Sequence, residues 1–140
     1  MTYIHINSDL VYKGDDMEWN ISIHDEDGYV EIVTSGMVDG NRTVDMSKAI
    51  AQTMRSHRMT KILIDHRNVV GVIGNISATY NRPKIFRFIG ITLGIKIAEL
   101  IKPEHEEHFK FFEAVCQSHG YQLSVFQEKD KALTWLLTQV

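Results

Sequence analysis

Lys61-Ile-Leu-Ile-Asp65 sets three branched aliphatic residues in a row between two charged ones. A strand wetted on one face alternates apolar with polar side chains, so an unbroken run this short marks a strand covered on both faces, central in a largely parallel sheet. Upstream, Met46, Ala49, Ile50 and Met54 recur at spacings that share one helical face, and Thr43 or Asp45 can accept bonds from the free N–H groups of a first turn. That predicts a crossover helix leading into the strand. Farther upstream, Trp19 to His24 alternates, Asp25-Glu-Asp-Gly28 is turn chemistry, Tyr29 to Ser35 alternates again and Gly36 ends the segment. An opening β-hairpin is expected there.

Downstream, His66 to Asn75 reads as a loop because of Gly71 and Gly74, and Ser77 caps a helix running through Tyr80 towards Ile89. Pro83 fits only near that helix's first turn, so its start can slide to Arg82. Beyond Gly90 and Gly94, Lys96 to Ile101 is the next strand. Pro103-Glu-His-Glu then opens a helix whose Phe109, Phe112 and Cys116 form an apolar stripe, stopped by His119-Gly120. Tyr121 to Phe126 is the last strand, followed by a helix starting near Lys129 with Ala132, Leu133 and Leu136 inward. Strands alternating with helices define an α/β fold, here a single mixed, mostly parallel sheet of about five strands with crossover helices.

With 140 residues, 44% of them hydrophobic and 24% charged, the chain suits one core-forming domain. Residues 1–16 read as an N-terminal extension and residues 17–140 as the domain. Within the extension Tyr3 to Ile6 can pair as an edge strand, while Asp9, Gly14, Asp15 and Asp16 are turn material. No apolar run approaches the ~20 residues of a membrane span, and Met1-Thr-Tyr-Ile-His-Ile is no basic leader, so a cytoplasmic location is expected. The single cysteine, Cys116, excludes an internal disulfide and a cysteine metal cage. Charge is segregated: residues 1–45 carry ten acidic and two basic side chains, residues 46–102 two acidic and ten basic. Mutual cancellation between an acidic hairpin and basic helices is the favoured account; an anionic partner or self-association is the other.

The strand ending at Asp65, the Phe112 to Tyr121 stretch with its His-Gly stop, and the terminus Phe126-Gln-Glu-Lys-Asp-Lys-Ala-Leu-Thr-Trp-Leu136 form a pattern over residues 17–138. In that pattern the chain resembles the STAS-like proteins, the SpoIIAA-like relatives of anti-sigma-factor antagonists. The resemblance implies a βα superhelix, no enzymatic activity, and action by docking to a protein partner. In the antagonist branch a serine starting the helix after the central strand is phosphorylated to switch partner binding, and Ser77 holds that position here. The longer Val70-Gly-Val-Ile-Gly-Asn-Ile-Ser77 stands in place of an Asp-Ser-Ser-Gly type sequence. The chain therefore looks closer to the uncharacterised STAS-like branch, whose superfamily includes the lipid-carrying CRAL-TRIO domains.

Asp65, His66 and Ser77 are the residue types of a hydrolytic triad. Neighbours on a strand point to opposite faces, however, and no Gly-x-Ser-x-Gly elbow surrounds Ser77, so no catalytic residue is assigned. His105-Glu-Glu-His108 lacks the His-Glu-x-x-His spacing and its carboxylates suit a helix start, so no metal or other cofactor is expected. Arg67, Asn68, Asn75, Ser77 and Arg82 fall beyond the carboxyl end of the central strand, where open α/β sheets place ligands. They are the expected partner- or anion-binding set, with Ser77 the expected phosphorylation site. In Arg82-Pro-Lys-Ile-Phe-Arg-Phe-Ile89, the residues Ile85, Phe88 and Ile89 share a face that packs on the sheet, leaving Phe86 beside the cations. These four are also the apolar contacts of the alternative reading, a small-molecule or lipid binder with an apolar cleft. Membrane contact is not favoured, and the net charge of -3 with no base-stacking platform argues against nucleic acid. The leading reading is a non-enzymatic module that docks a protein partner. A homodimer is compatible with the edge offered by the hairpin and the N-terminal extension.

Overall fold

The computed structural model describes residues 3–6, 9–12, 16–72 and 93–138. Strands β1 (Tyr3–Ile6) and β2 (Asp9–Tyr12) pair antiparallel as a separate two-stranded sheet, so Asp9 opens a strand where turn material was expected. The five-stranded sheet begins with β3 (Glu18–His24) and β4 (Tyr29–Val38), antiparallel with Trp19 opposite Thr34 and His24 opposite Tyr29. The hairpin is the expected one, but Gly36 does not end it. Its φ of 79° lies in the left-handed region that glycine adopts without strain, so the backbone bends there and the strand continues to Val38.

Helix α1 (Gly40–His57) follows directly. Its cap is Asp39 rather than Thr43 or Asp45: the extended Asp39 backbone turns in from β4, and its Oδ1 accepts the Arg42 N–H at 2.8 Å. Thr43 already lies inside the helix, its hydroxyl donating to the Asp39 carbonyl at 2.7 Å. Strand β5 (Lys61–Val72) runs parallel to β4, and β6 (Lys96–Leu100) runs parallel to β5. The helix expected from Ser77 or Arg82 towards Ile89 lies outside the described residues. After β6, a 3₁₀ turn at Pro103–His105 leads into α2 (Glu106–Ser118), then β7 (Gln122–Phe126), parallel to β6, and α3 (Lys129–Leu137).

The five strands lie in the order β3-β4-β5-β6-β7, which makes β5 the central strand. Alternation along it feeds two cores. Ile62 and Ile64 join Val30, Ile32 and Ile97 under Ile50 and Met54 of α1 and Phe109 and Phe112 of α2. Leu63, on the other face, joins Tyr29, Ala98 and Leu100 under Ala132 and Leu136 of α3. Cys116 is buried, and no described helix is long and apolar enough to cross a membrane.

Leu63 is fully buried, so Leu63→Ala leaves a cavity and removes about 2–5 kcal/mol of stability, measured by denaturant unfolding. A loss of only ~0.5 kcal/mol, the scale of a surface substitution, would contradict a central β5.

Candidate functional site: the bulged half of the central strand

Strand β6 stops pairing with β5 at Leu100, opposite Asp65, whereas β5 continues along β4 to Val72. From His66 to Val72 the segment expected as a loop is therefore strand, paired among the described residues on one side only. Its polar residues and Gly71 obscure the alternation because the pairing contains two bulges. Val33 faces Asp65 but Ser35 faces Asn68, so Thr34 stands opposite both His66 and Arg67. Gly36 then faces Val69 and Met37 faces Gly71, which leaves Val70 extruded and 61% exposed. At the second bulge Gly71 lies under the end of the Met37 side chain, which a Cβ there would approach to 2.8 Å and push aside. Bulges of this kind re-aim side chains and occur next to functional sites.

On the face shared with α3, the first bulge creates a fixed cation. Asp65 Oδ1 accepts the Arg67 backbone N–H at 3.0 Å and its Nε–H at 2.9 Å, while Oδ2 accepts from Nη2 at 2.8 Å. Burial alone would raise the Asp65 carboxyl; the Arg67 hydrogen bonds and charge, with Lys129 behind them, outweigh it and hold the group below its ordinary 3.8. Arg67 and Asn68 are consecutive and both exposed, and the next residue, Val69, is back in the core. Beside them, Glu31 bridges His24 Nε2 at 2.7 Å and Lys129 Nζ at 3.3 Å, and His24 stacks on Tyr29 with ring centroids 4.4 Å apart. The Lys102 ammonium bonds the Val69 carbonyl at 2.9 Å, satisfying one group of the strand edge that β6 leaves open.

On the opposite face, under α1 and α2, Thr34, His66 and Glu99 form a buried polar row across three adjacent strands. Thr34 Oγ1 lies 2.7 Å from His66 Nδ1, and His66 Nε2 lies 3.2 Å from Glu99 Oε2. The His66 ring stacks on Phe109 at 4.9 Å. Asp65 and His66 thus serve different faces and cannot cooperate in a triad, and the Thr34 hydroxyl is fully buried. Among the described residues, no group of three or more His, Cys, Asp or Glu side chains is arranged to hold a metal ion.

Of the expected site residues, the structure brings Arg67 and Asn68 together. Asn75, Ser77 and Arg82 lie outside the described residues, as do Ile85, Phe86, Phe88 and Ile89. The Thr34–His66–Glu99 row is not evident from the sequence, although Glu99 is the one charge inside Ile97-Ala-Glu-Leu-Ile101. A lone carboxylate in a strand buried on both faces requires a partner, and the preceding strand offers His66.

Solved structures share this architecture. An anti-sigma factor antagonist from Mycobacterium paratuberculosis superposes with a TM-score of 0.60 at 15% identity, over 87% of this chain and 95% of that one. An uncharacterised protein of the DUF3478 family with a SpoIIAA-like fold, from Shewanella loihica, gives a TM-score of 0.55 at 18% identity, over 86% and 93%. The chain has the SpoIIAA-like α/β fold. No protein-family model matches it, and neither does a curated protein.

The depressed Asp65 carboxyl predicts an acid dependence. A group whose folded value lies below its unfolded one stabilises the fold above the unfolded value, and that contribution is lost as pH falls through the folded value. Asp65→Asn should therefore flatten the decline in stability below pH 3.8 relative to wild type, in urea melts collected across that range. Parallel acid limbs for the two proteins would show that the fork adds nothing.

Proposed function

We propose that the protein is a non-enzymatic regulatory module that docks a protein partner through the bulged half of β5. The observation that carries this reading is the emergence of Arg67, Asn68 and Val70 from a strand whose neighbours Val69 and Ile64 are anchored in the core. Such a surface presents a cation, an amide and an aliphatic side chain on a rigid support, which lowers the entropic cost of binding. The Asp65 fork uses two of the five guanidinium N–H donors of Arg67, so others remain for an acceptor on the partner. A structural neighbour is by name an antagonist of an anti-sigma factor, a protein target, and this supports docking over chemistry. Ser77 phosphorylation belongs to the same proposal, as do Asn75 and Arg82 as further members of the binding set, and all three rest on sequence position. A second copy is a further candidate partner, since among the described residues β3 pairs on one side only.

The lipid-binding alternative draws less support from the described residues. The cavity under α1 and α2 measures about 30 Å³, against roughly 300 Å³ or more for a drug-sized ligand. The larger cleft of about 520 Å³ near the starts of α2 and α3 mixes Ile101, Val125 and Phe126 with Glu106, Lys110, Glu128 and Lys131, so charged groups share its wall with the apolar ones.

Affinity capture should compare wild type with Asn68→Ala, Val70→Asp and Arg67→Ala, each checked for native unfolding behaviour, and with Ser77→Ala and Ser77→Asp. The expected result is a partner whose recovery falls at least tenfold with Val70→Asp and Arg67→Ala and differs between the two Ser77 forms. Equal recovery from all six proteins would remove this surface as the docking site.

A further inference from the structure

Glu99 has a side chain only 5% exposed, and its Oε1 has no hydrogen-bond partner among the described residues. It lines a cavity of about 30 Å³ between the sheet and helices α1 and α2, with Ile62, Ile64, Ile97 and Phe112 as apolar wall and Thr43 and Ser47 near by on α1. An acceptor left unpaired in such surroundings is costly, and a cavity beside it is where a ligand would satisfy it.

Counting protons defines what that ligand is. The Thr34 hydroxyl donates to the Asp65 carbonyl at 3.2 Å, and its oxygen lies 2.7 Å from His66 Nδ1. A hydroxyl has one proton to give, so Nδ1–H is the donor to Thr34. Nε2 then meets Glu99 Oε2 at 3.2 Å, and a bond there needs one more proton, on the ring or on the carboxyl. In either placement the His66–Glu99 pair is neutral as a whole, and Oε1 remains an acceptor. The reverse orientation of Thr34 would leave a net negative charge in a lining that, among the described residues, contains no lysine or arginine.

We propose that this cavity is a binding site for one small, neutral hydroxyl donor, filled by water and open to displacement by a short primary alcohol. Neutrality follows from the neutral pair, since a cation would bring a charge with nothing to balance it. Size follows from volume: one water needs about 10–15 Å³ measured in this way, so the space fits one or two heavy atoms. The donor group bonds Glu99 Oε1 and the carbon lies against the isoleucines.

Oxygen-17 relaxation dispersion counts long-lived internal waters, and methyl NMR of Ile62, Ile64 and Ile97 follows the wall. The wild type should hold at least one more long-lived water than Glu99→Leu. Methanol should remove that water with saturable methyl shifts, whereas methylammonium, its size-matched cation, should do neither. Equal water counts in the two proteins, or equal responses to methanol and methylammonium, would overturn the proposal. If Glu99→Leu does not fold, the wild type alone decides: the absence of a long-lived water displaced by methanol, or methyl shifts that never saturate, would overturn the proposal equally.

Discussion

Burial of Ile62, Leu63 and Ile64 on both faces of the sheet is the constraint from which the rest of the molecule follows. Parallel strands on either side of β5 consume its backbone donors and acceptors, and helices from both faces cover its side chains. A strand held so firmly at its start can carry irregular backbone at its end. That is where the two bulges fall, with β4 as the strand neighbour among the described residues and Lys102 closing one carbonyl of the other edge.

The bulges separate two kinds of polar chemistry that the sequence places side by side. Asp65 and Arg67 form a local fork on the α3 face, half in water, where it fixes a guanidinium at low entropic cost. His66 goes to the α1 and α2 face and, with Thr34 and Glu99, makes a row sealed from solvent. Only the Arg67 end of the fork reaches water, which leaves its remaining N–H donors accessible, whereas removing one member of the buried row strands the others. The first therefore suits recognition and the second suits specifying how the strands align.

The central strand, the hairpin, the apolar stripe of α2 and the His119-Gly120 stop are legible in the sequence because each rests on local periodicity or turn chemistry that tertiary packing reinforces. The second half of β5 is not. His66, Arg67 and Asn68 in succession, followed by Gly71, break a period of two, and a bulge is decided by the partner strand rather than by the bulged one. The cap of α1 is ambiguous in the sequence because Asp39, Thr43 and Asp45 are all competent, and only the end of β4 selects Asp39 over the two expected residues. Arg67 and Asn68 stand out in the sequence because they directly follow the apolar run Ile62–Ile64 and Asp65. Glu99 and Thr34 carry no such mark, because a single polar residue in an apolar strand has meaning only once its cross-strand neighbour is known.

Amide hydrogen exchange across residues 61–72 tests most directly whether β5 is one continuous bulged strand. Strong protection from Ile62 to Asp65 should give way to intermediate, alternating protection through Val72, with Val70 fast at the second bulge. Uniformly unprotected amides from His66 to Val72, as in a solvated loop, would contradict the account.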